Sequence, residues 1–209
     1  MDNHVNDTVG GANMYNGYNV QYVKDRFGNE NSAVRFSNGF YQVPSGFYFN
    51  GDFTVSVWIK PIKSFYNAPI FDFGNSGTLD SIRFISTTYS YYSQSFYIFF
   101  KNYESRMDTS FNLVLGQWTH FVFSLSDTVG SLYINGFLAS QNDNMYSPRN
   151  LNRTSNYIGK SSGYSNLWAD LDDLKIYNRS MSSAEVNYLY LQQVKTGSSN
   201  LLGYTIFTY

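Results

Sequence analysis

A chain of 209 residues with a formal net charge of −1 and 14% charged side chains fits one all-β domain, which at this length folds without staples. Cysteine is absent, which excludes disulfides, thiolate metal sites and a cysteine nucleophile. Without a basic stripe nucleic acid is not an expected partner, and no apolar run has the length needed for membrane insertion.

Residues up to Tyr22 are rich in Gly and Asn and predict a loop with at most one weak strand. Short alternating segments then predict strands over 33–37, 40–43, 53–60, 68–73, 81–86, 95–101, 117–125, 130–134, 137–140, 156–159 and 169–177. Turn signals separate them at Ser37-Asn38-Gly39, Phe49-Asn50-Gly51-Asp52 and Asn135-Gly136. The last tolerates left-handed backbone and marks a tight hairpin. Asn178 and Arg179 break the final alternation. Ser182 stands three residues before Glu185, the spacing of a capping box, and Val186, Leu189, Tyr190 and Val194 follow at helical spacing.

This pattern predicts an all-β, two-sheet antiparallel sandwich over residues 1–194, closed by one short C-terminal helix. Residues 195–200 read as a flexible connector. Leu201, Leu202, Tyr204, Ile206 and Phe207 then predict a terminal strand that completes the same sandwich or a neighbour's, a route to self-association.

The residues offer little for catalysis. Glycoside hydrolysis needs two carboxylates in one cleft, and Glu30, Glu104 and Glu185 share no strand pattern. Asp170 and Asp172 share a face by spacing. His4 falls in a loop and His120 lies mid-strand, where a histidine is more often structural than a base. Non-catalytic recognition is the expectation. Sugars stack on exposed rings, which makes Tyr91, Tyr92, Tyr164 and Trp168 candidate ligand contacts beside Gln94 and Asn166.

The run from Trp168 through Asp172-Asp173-Leu174-Lys175-Ile176-Tyr177-Asn178-Arg179 to Ser183-Ala184-Glu185-Val186 resembles the closing strand and helix of the concanavalin A-like, laminin-G-like jelly-roll family. Residues 25–36, 53–61, 116–122 and 132–136 resemble further blocks of that family, in its order. The resemblance implies a jelly roll. It also implies a structural calcium ion linking an N-terminal Asn-Asp loop to the aspartate pair of the last strand, here Asp7, Asn13, Asp172 and Asp173. The loop departs from the family's Asp-x-Ser-Gly-Asn-Gly type, since it reads Asp7-Thr8-Val9-Gly10-Gly11-Ala12-Asn13. Family members open with a Leu-Leu-Gly-Tyr-x-x-Phe strand, whereas here Leu201-Leu202-Gly203-Tyr204-Thr205-Ile206-Phe207 closes the chain. Circular permutation, a repeat cut one strand out of phase, and donation to a neighbour all account for that shift. Implied in turn is an extracellular or cell-surface recognition module for a glycan or an extracellular protein. The alternatives are a structural repeat assembled by strand exchange and, third, a glycoside hydrolase.

Overall fold

A computed structural model describes residues 7, 10–76, 79–86, 94–195 and 205–208, with residues 195 and 205–208 described by backbone alone. Along the chain lie β1 (Tyr15–Val23), β2 (Ala33–Val43), β3 (Phe53–Pro61), β4 (Ala68–Gly74), β5 (Ile82–Ser86), β6 (Gln94–Phe100) and β7 (Tyr103–Thr109). They are followed by β8 (Thr119–Ser126), β9 (Val129–Ile134), β10 (Phe137–Asn142), β11 (Ser155–Ile158), β12 (Leu167–Tyr177), α1 (Ser183–Lys195) and β13 (Thr205–Thr208).

Hydrogen bonds connect the strands in the path β10-β9-β8-β3-β12-β2-β11-β4-β5-β6-β7. The path folds over at β2. Early in that strand Val34 pairs with Leu171 of β12, while its last residues, Tyr41 and Val43, pair with Ile158 and Asn156 of β11. Two layers result, and their inner faces meet through rings. Phe96 of β6 stacks on Phe123 of β8 with centroids 3.6 Å apart, and Phe84 of β5 meets Phe121 of β8 edge-on at 5.6 Å. This is the sandwich that the alternation predicts.

Three local expectations are corrected. Ser37-Asn38-Gly39 does not end a strand. Asn38 takes a φ of 57°, and the chain bends there while β2 continues. Gly39 is needed at the bend, because a Cβ would stand 2.4 Å from the Asn19 carbonyl oxygen on β1. The N-terminal segment, expected as loop with at most one weak strand, holds a full nine-residue strand, β1, which follows β2 from Tyr15↔Gln42 to Val23↔Ala33. Most of β1 is exposed, so it lacks the apolar alternation that reveals a strand. β7 was missed for the same reason, since only Ser105 and Met107 of it are buried.

Other signals are obeyed. Asn135 and Gly136 take φ values of 50° and 83° in the β9–β10 hairpin. Ser182 N–H donates to the Glu185 carboxylate at 2.8 Å, and Glu185 N–H donates to Ser182 Oγ at 3.3 Å, closing the capping box. The helix packs on the outer face of the first layer, where Val186 joins Val122, Tyr133 and Met181 in a small buried cluster. β13 runs parallel to the end of β12, with Thr205 opposite Lys175 and Thr208 opposite Tyr177 of the same chain. Leu201, Leu202 and Tyr204 lie outside the described residues. Ile206 and Phe207 lie on β13.

His120 of β8 is wholly buried beneath α1. Its Nε2 stands 2.8 Å from Ser56 Oγ, and its ring stacks on Trp58 at 4.9 Å and Tyr190 at 5.9 Å. Burial, reinforced by Arg26 and Lys175 against Asp173, holds its pKa down to about 3. The unfolded chain takes up a proton that the folded one refuses, so this residue costs stability as pH falls from about 6.5 towards 3. His120→Phe keeps the stacking and is expected to remove that cost. Urea midpoints at pH 7 and pH ~4.5 should show the wild type losing about 2–3 kcal/mol relative to the variant; parallel pH profiles would contradict the assignment.

Candidate functional site

β2 ends in one layer and β3 begins in the other, so residues 44–52 must cross between them. Tyr48 and Phe49 turn inward. Their rings meet Phe73 at 4.9 and 5.7 Å, and Phe49 meets Phe53 at 4.8 Å. Phe47, one residue earlier, turns out and is 64% exposed.

A buried guanidinium secures this crossing. Arg153 donates from Nε to the Asp80 carbonyl at 3.2 Å, from Nη1 to the Phe49 carbonyl at 3.3 Å and from Nη2 to the Arg149 carbonyl at 3.3 Å. Its own backbone exchanges hydrogen bonds with Gly46 at 3.0 and 2.8 Å. Burial lowers its pKa to about 10, so it stays charged at neutral pH. One side chain thereby satisfies carbonyls from three stretches of chain.

Two further anchors complete the surround. The Asp7 carboxylate accepts from Gly10 N at 2.9 Å and Ala12 N at 3.0 Å, while Asn13 Oδ1 accepts from Asp7 N at 2.9 Å. This ring of bonds shapes the Gly10-Gly11-Ala12 turn. The Asp52 carboxylate accepts from Asp127 N at 2.7 Å and Ser180 Oγ at 3.3 Å, which holds the segment after β12 against the crossing.

Between these anchors lies a cleft of about 620 Å³, lined among others by Phe47, Tyr48, Asn50, Asp52, Asn150 and Asn178. Asn50, Asn150 and Asn178 are exposed, and their amides make no hydrogen bond to another described residue. Asp52 is the one carboxylate among the described residues that line the cleft. Tyr48 donates to the Pro44 carbonyl at 2.6 Å, and burial, then the nearby Asp7 charge, push its phenol up to about 12. An apolar ring beside amides that are free to donate and accept is the chemistry a sugar face and its hydroxyls call for.

The residues singled out from sequence fall in several places. Asp7 and Asn13 come together behind the Gly10-Gly11-Ala12 turn that lines the cleft. Asp172 and Asp173 come together elsewhere, on the guanidinium of Arg26. Burial and then Asp173 push the Asp172 carboxyl upward, while Lys175 and Arg26 outweigh burial and hold Asp173 down. Among the described residues no three acidic or histidine side chains converge as a metal site would require, so Asp7 does not join the aspartate pair. Tyr164 sits on the outer face of the second layer, its ring 5.2 Å from the Arg83 guanidinium, which pairs with Asp72 at 3.0 Å. Trp168 sits on β12 with Lys63 over its ring at 4.6 Å. The two rings thus each meet a different cation. Tyr91 and Tyr92 lie outside the described residues. Asp170 is wholly buried and paired with Arg35 at 2.7 Å and Lys60 at 2.8 Å.

Sequence reading missed Phe47, Asn50, Asp52, Asn150 and Asn178. The one usable signal was the density of rings and amides over 47–52, which reads equally well as a turn.

The sequence model of the concanavalin A-like lectin/glucanases superfamily matches residues 29–187, and the chain belongs to that family. No curated protein matches it. Among solved structures, the chain is similar to domain 4 of AbnA, an extracellular GH43 arabinanase from Geobacillus stearothermophilus, determined in complex with arabinotriose. The identity is 18% and the TM-score 0.69, over 90% of this chain and 93% of that one. It is also similar to the binding domain of Paraclostridial mosquitocidal protein 1, at 18% identity and a TM-score of 0.70, over 94% of this chain but 51% of that one. A heptameric pentraxin from Limulus polyphemus matches at 15% identity and a TM-score of 0.58, over 82% and 80%. At these identities the likeness is one of fold.

Replacing Arg153 tests the architecture of the cleft. Arg153→Met leaves the carbonyls of the buried residues Phe49 and Asp80, and that of Arg149, short of a donor and is expected to cost about 3 kcal/mol in urea unfolding. Hydrogen exchange should accelerate first at residues 46–49. A variant with wild-type stability and unchanged exchange there would show that the guanidinium does not hold the crossing.

Proposed function

We propose that this domain is a non-catalytic carbohydrate-binding module that holds a neutral saccharide in the cleft beside Phe47. The observation that carries the reading is an exposed ring set against three uncommitted amides in a cavity large enough for two or three sugar units. The Phe47 ring stacks on a sugar's C–H face. Asn50, Asn150 and Asn178 exchange hydrogen bonds with its hydroxyls, and Asp52 accepts one more.

Several features favour binding over hydrolysis. Glycoside hydrolysis takes two carboxylates across one bond, and Asp52 lacks a described acidic partner in the cleft. Asp170 is neutralised by Arg35 and Lys60, and Asp72 by Arg83. The buried Ser56–His120 pair lies under α1, away from any substrate. Support also comes from the fold shared with the AbnA domain seen with arabinotriose. Among the described residues no helix is long and apolar enough to cross a membrane. We place the module outside the cell, where its low charge and ring-rich surface suit contact with glycans.

Titration calorimetry with arabinotriose, xylotriose and cellotriose, preceded by a glycan array, tests the reading. Phe47→Ala should weaken binding of the preferred sugar about tenfold, ~1.4 kcal/mol, and Asn150→Ala by a smaller factor. Both positions are exposed, so melting temperatures should stay at the wild-type value. Sugar binding that survives both substitutions would move the site elsewhere, and failure to bind any glycan on the array would remove the proposal.

A further inference from the structure

We infer that Arg26 is the built-in cation of the Asp172–Asp173 pair, and that the domain closes this junction with a guanidinium where its relatives' pattern implies calcium. The inference is independent of the saccharide cleft.

Adjacent residues of a strand normally point to opposite faces. Here β12 carries a register shift against β3 between Asp172 and Lys175, and Asp173 takes a left-handed φ of 47°. That irregularity brings two successive carboxylates to one side. The guanidinium that meets them comes from the connection between β1 and β2. Asp25 folds that connection, its Oδ1 accepting from Phe27 N at 2.8 Å and Asn29 N at 2.9 Å. Arg26 Nη1 then donates to Asp172 Oδ2, Nη2 donates to Asp173 Oδ2 at 2.6 Å, and Nε donates to the Gln193 carbonyl of α1 at 3.3 Å. The guanidinium carbon stands over the Phe27 ring at 4.6 Å and the Trp58 ring at 4.8 Å, and the side chain is 9% exposed.

One fork thus joins a loop, a strand and a helix, the linking task expected of a calcium ion. The donor set does not suit calcium. It needs six to eight oxygens, and this pair already faces Arg26 together with Lys175, whose Nζ stands 3.2 Å from Asp173 Oδ1. Two cations balance two carboxylates. A divalent ion would have to displace a buried guanidinium or add two charges beside it. The other residues expected to help, Asp7 and Asn13, are bonded to each other and to the N–H groups of their own turn.

The test compares melting in millimolar calcium chloride and in EDTA. The wild-type melting temperature is expected to be the same in both. Arg26→Met leaves Asp172 without its cation and Asp173 with Lys175 alone, and should lower it by about 10 °C. Adding Asp172→Asn and Asp173→Asn to that variant removes the stranded charge and should recover at least half of the loss. Terbium emission sensitised by Trp58 should be silent in the wild type. A calcium-dependent rise in wild-type melting temperature that Asp172→Asn/Asp173→Asn abolishes would overturn the inference, as would wild-type terbium emission lost in the same variant. If Arg26→Met does not fold, Arg26→Lys decides. An ammonium cannot reproduce the planar fork that reaches both acids and the Gln193 carbonyl, so its melting temperature should fall, and wild-type melting would refute the role of the fork.

Discussion

One strand serves both layers, and most of the architecture follows from that constraint. β2 begins beside β12 and ends beside β11, so the chain leaves it in the layer opposite to the one where β3 must start. Residues 44–52 have to cross the end of the sandwich. A crossing backbone cannot join either ladder, yet its polar groups still need partners. Arg153 supplies donors to the carbonyls, Tyr48 and Phe49 fill the end of the core, and Phe47 is left on the outside. The cleft is therefore the geometric remainder of a topological requirement. Its walls are the stretches that the crossing recruits.

The same economy governs charge. The chain has few ionised groups, and the structure buries several of its acids in ion pairs: Asp72 with Arg83, Asp170 with Arg35 and Lys60, and Asp172–Asp173 with Arg26. Buried pairs of this kind add little net stability over apolar substitutes, because desolvation offsets most of the attraction. They do discriminate among arrangements, since a register slip of β12 would strand three carboxylates without partners. Their pairing away from the cleft also leaves it mostly to neutral amides and rings, with Asp52 as its one described carboxylate. Such a surface selects hydroxyl-rich ligands by shape and hydrogen bonding, not by charge.

Much of the fold was legible in the sequence because its signals are local. Asn135-Gly136 fits a hairpin wherever it occurs, and Ser182 and Glu185 need only each other to start α1. β12 announces itself through Leu171, Leu174 and Ile176, all buried against the core. Where local rules failed, a distant element had intervened. Asn38-Gly39 is as good a turn as Asn135-Gly136 by composition, but β1 pairs with β2 on one edge through it while β12 and then β11 pair on the other, and the left-handed residue bends the strand without reversing it. β1 carries no hydrophobic alternation because it lies over β2 with one face in solvent and few core contacts. In the candidate site, three consecutive aromatic residues at 47–49 look alike on paper. Only the position of Phe73 and Arg153 decides which two are buried.

The aspartate pair shows how far a motif can be followed. Two adjacent acids at the end of a strand declare a need for positive charge, and that need is real. Which cation meets it is not a local property, for Arg26 lies 146 residues from Asp172 along the chain. A metal ion and a guanidinium satisfy the same Coulombic demand with different geometry. Calcium gathers many oxygens around a point, whereas arginine spreads its charge in a plane and donates along fixed directions. The rings of Trp58 and Phe27 against the guanidinium favour the planar group, because aromatic faces attract a guanidinium and offer a hard divalent ion no ligand. The aromatic surplus of this chain thus bears on its ion chemistry as well as its core. Rings around the acid pair select arginine, and rings around the cleft leave one face open to a sugar.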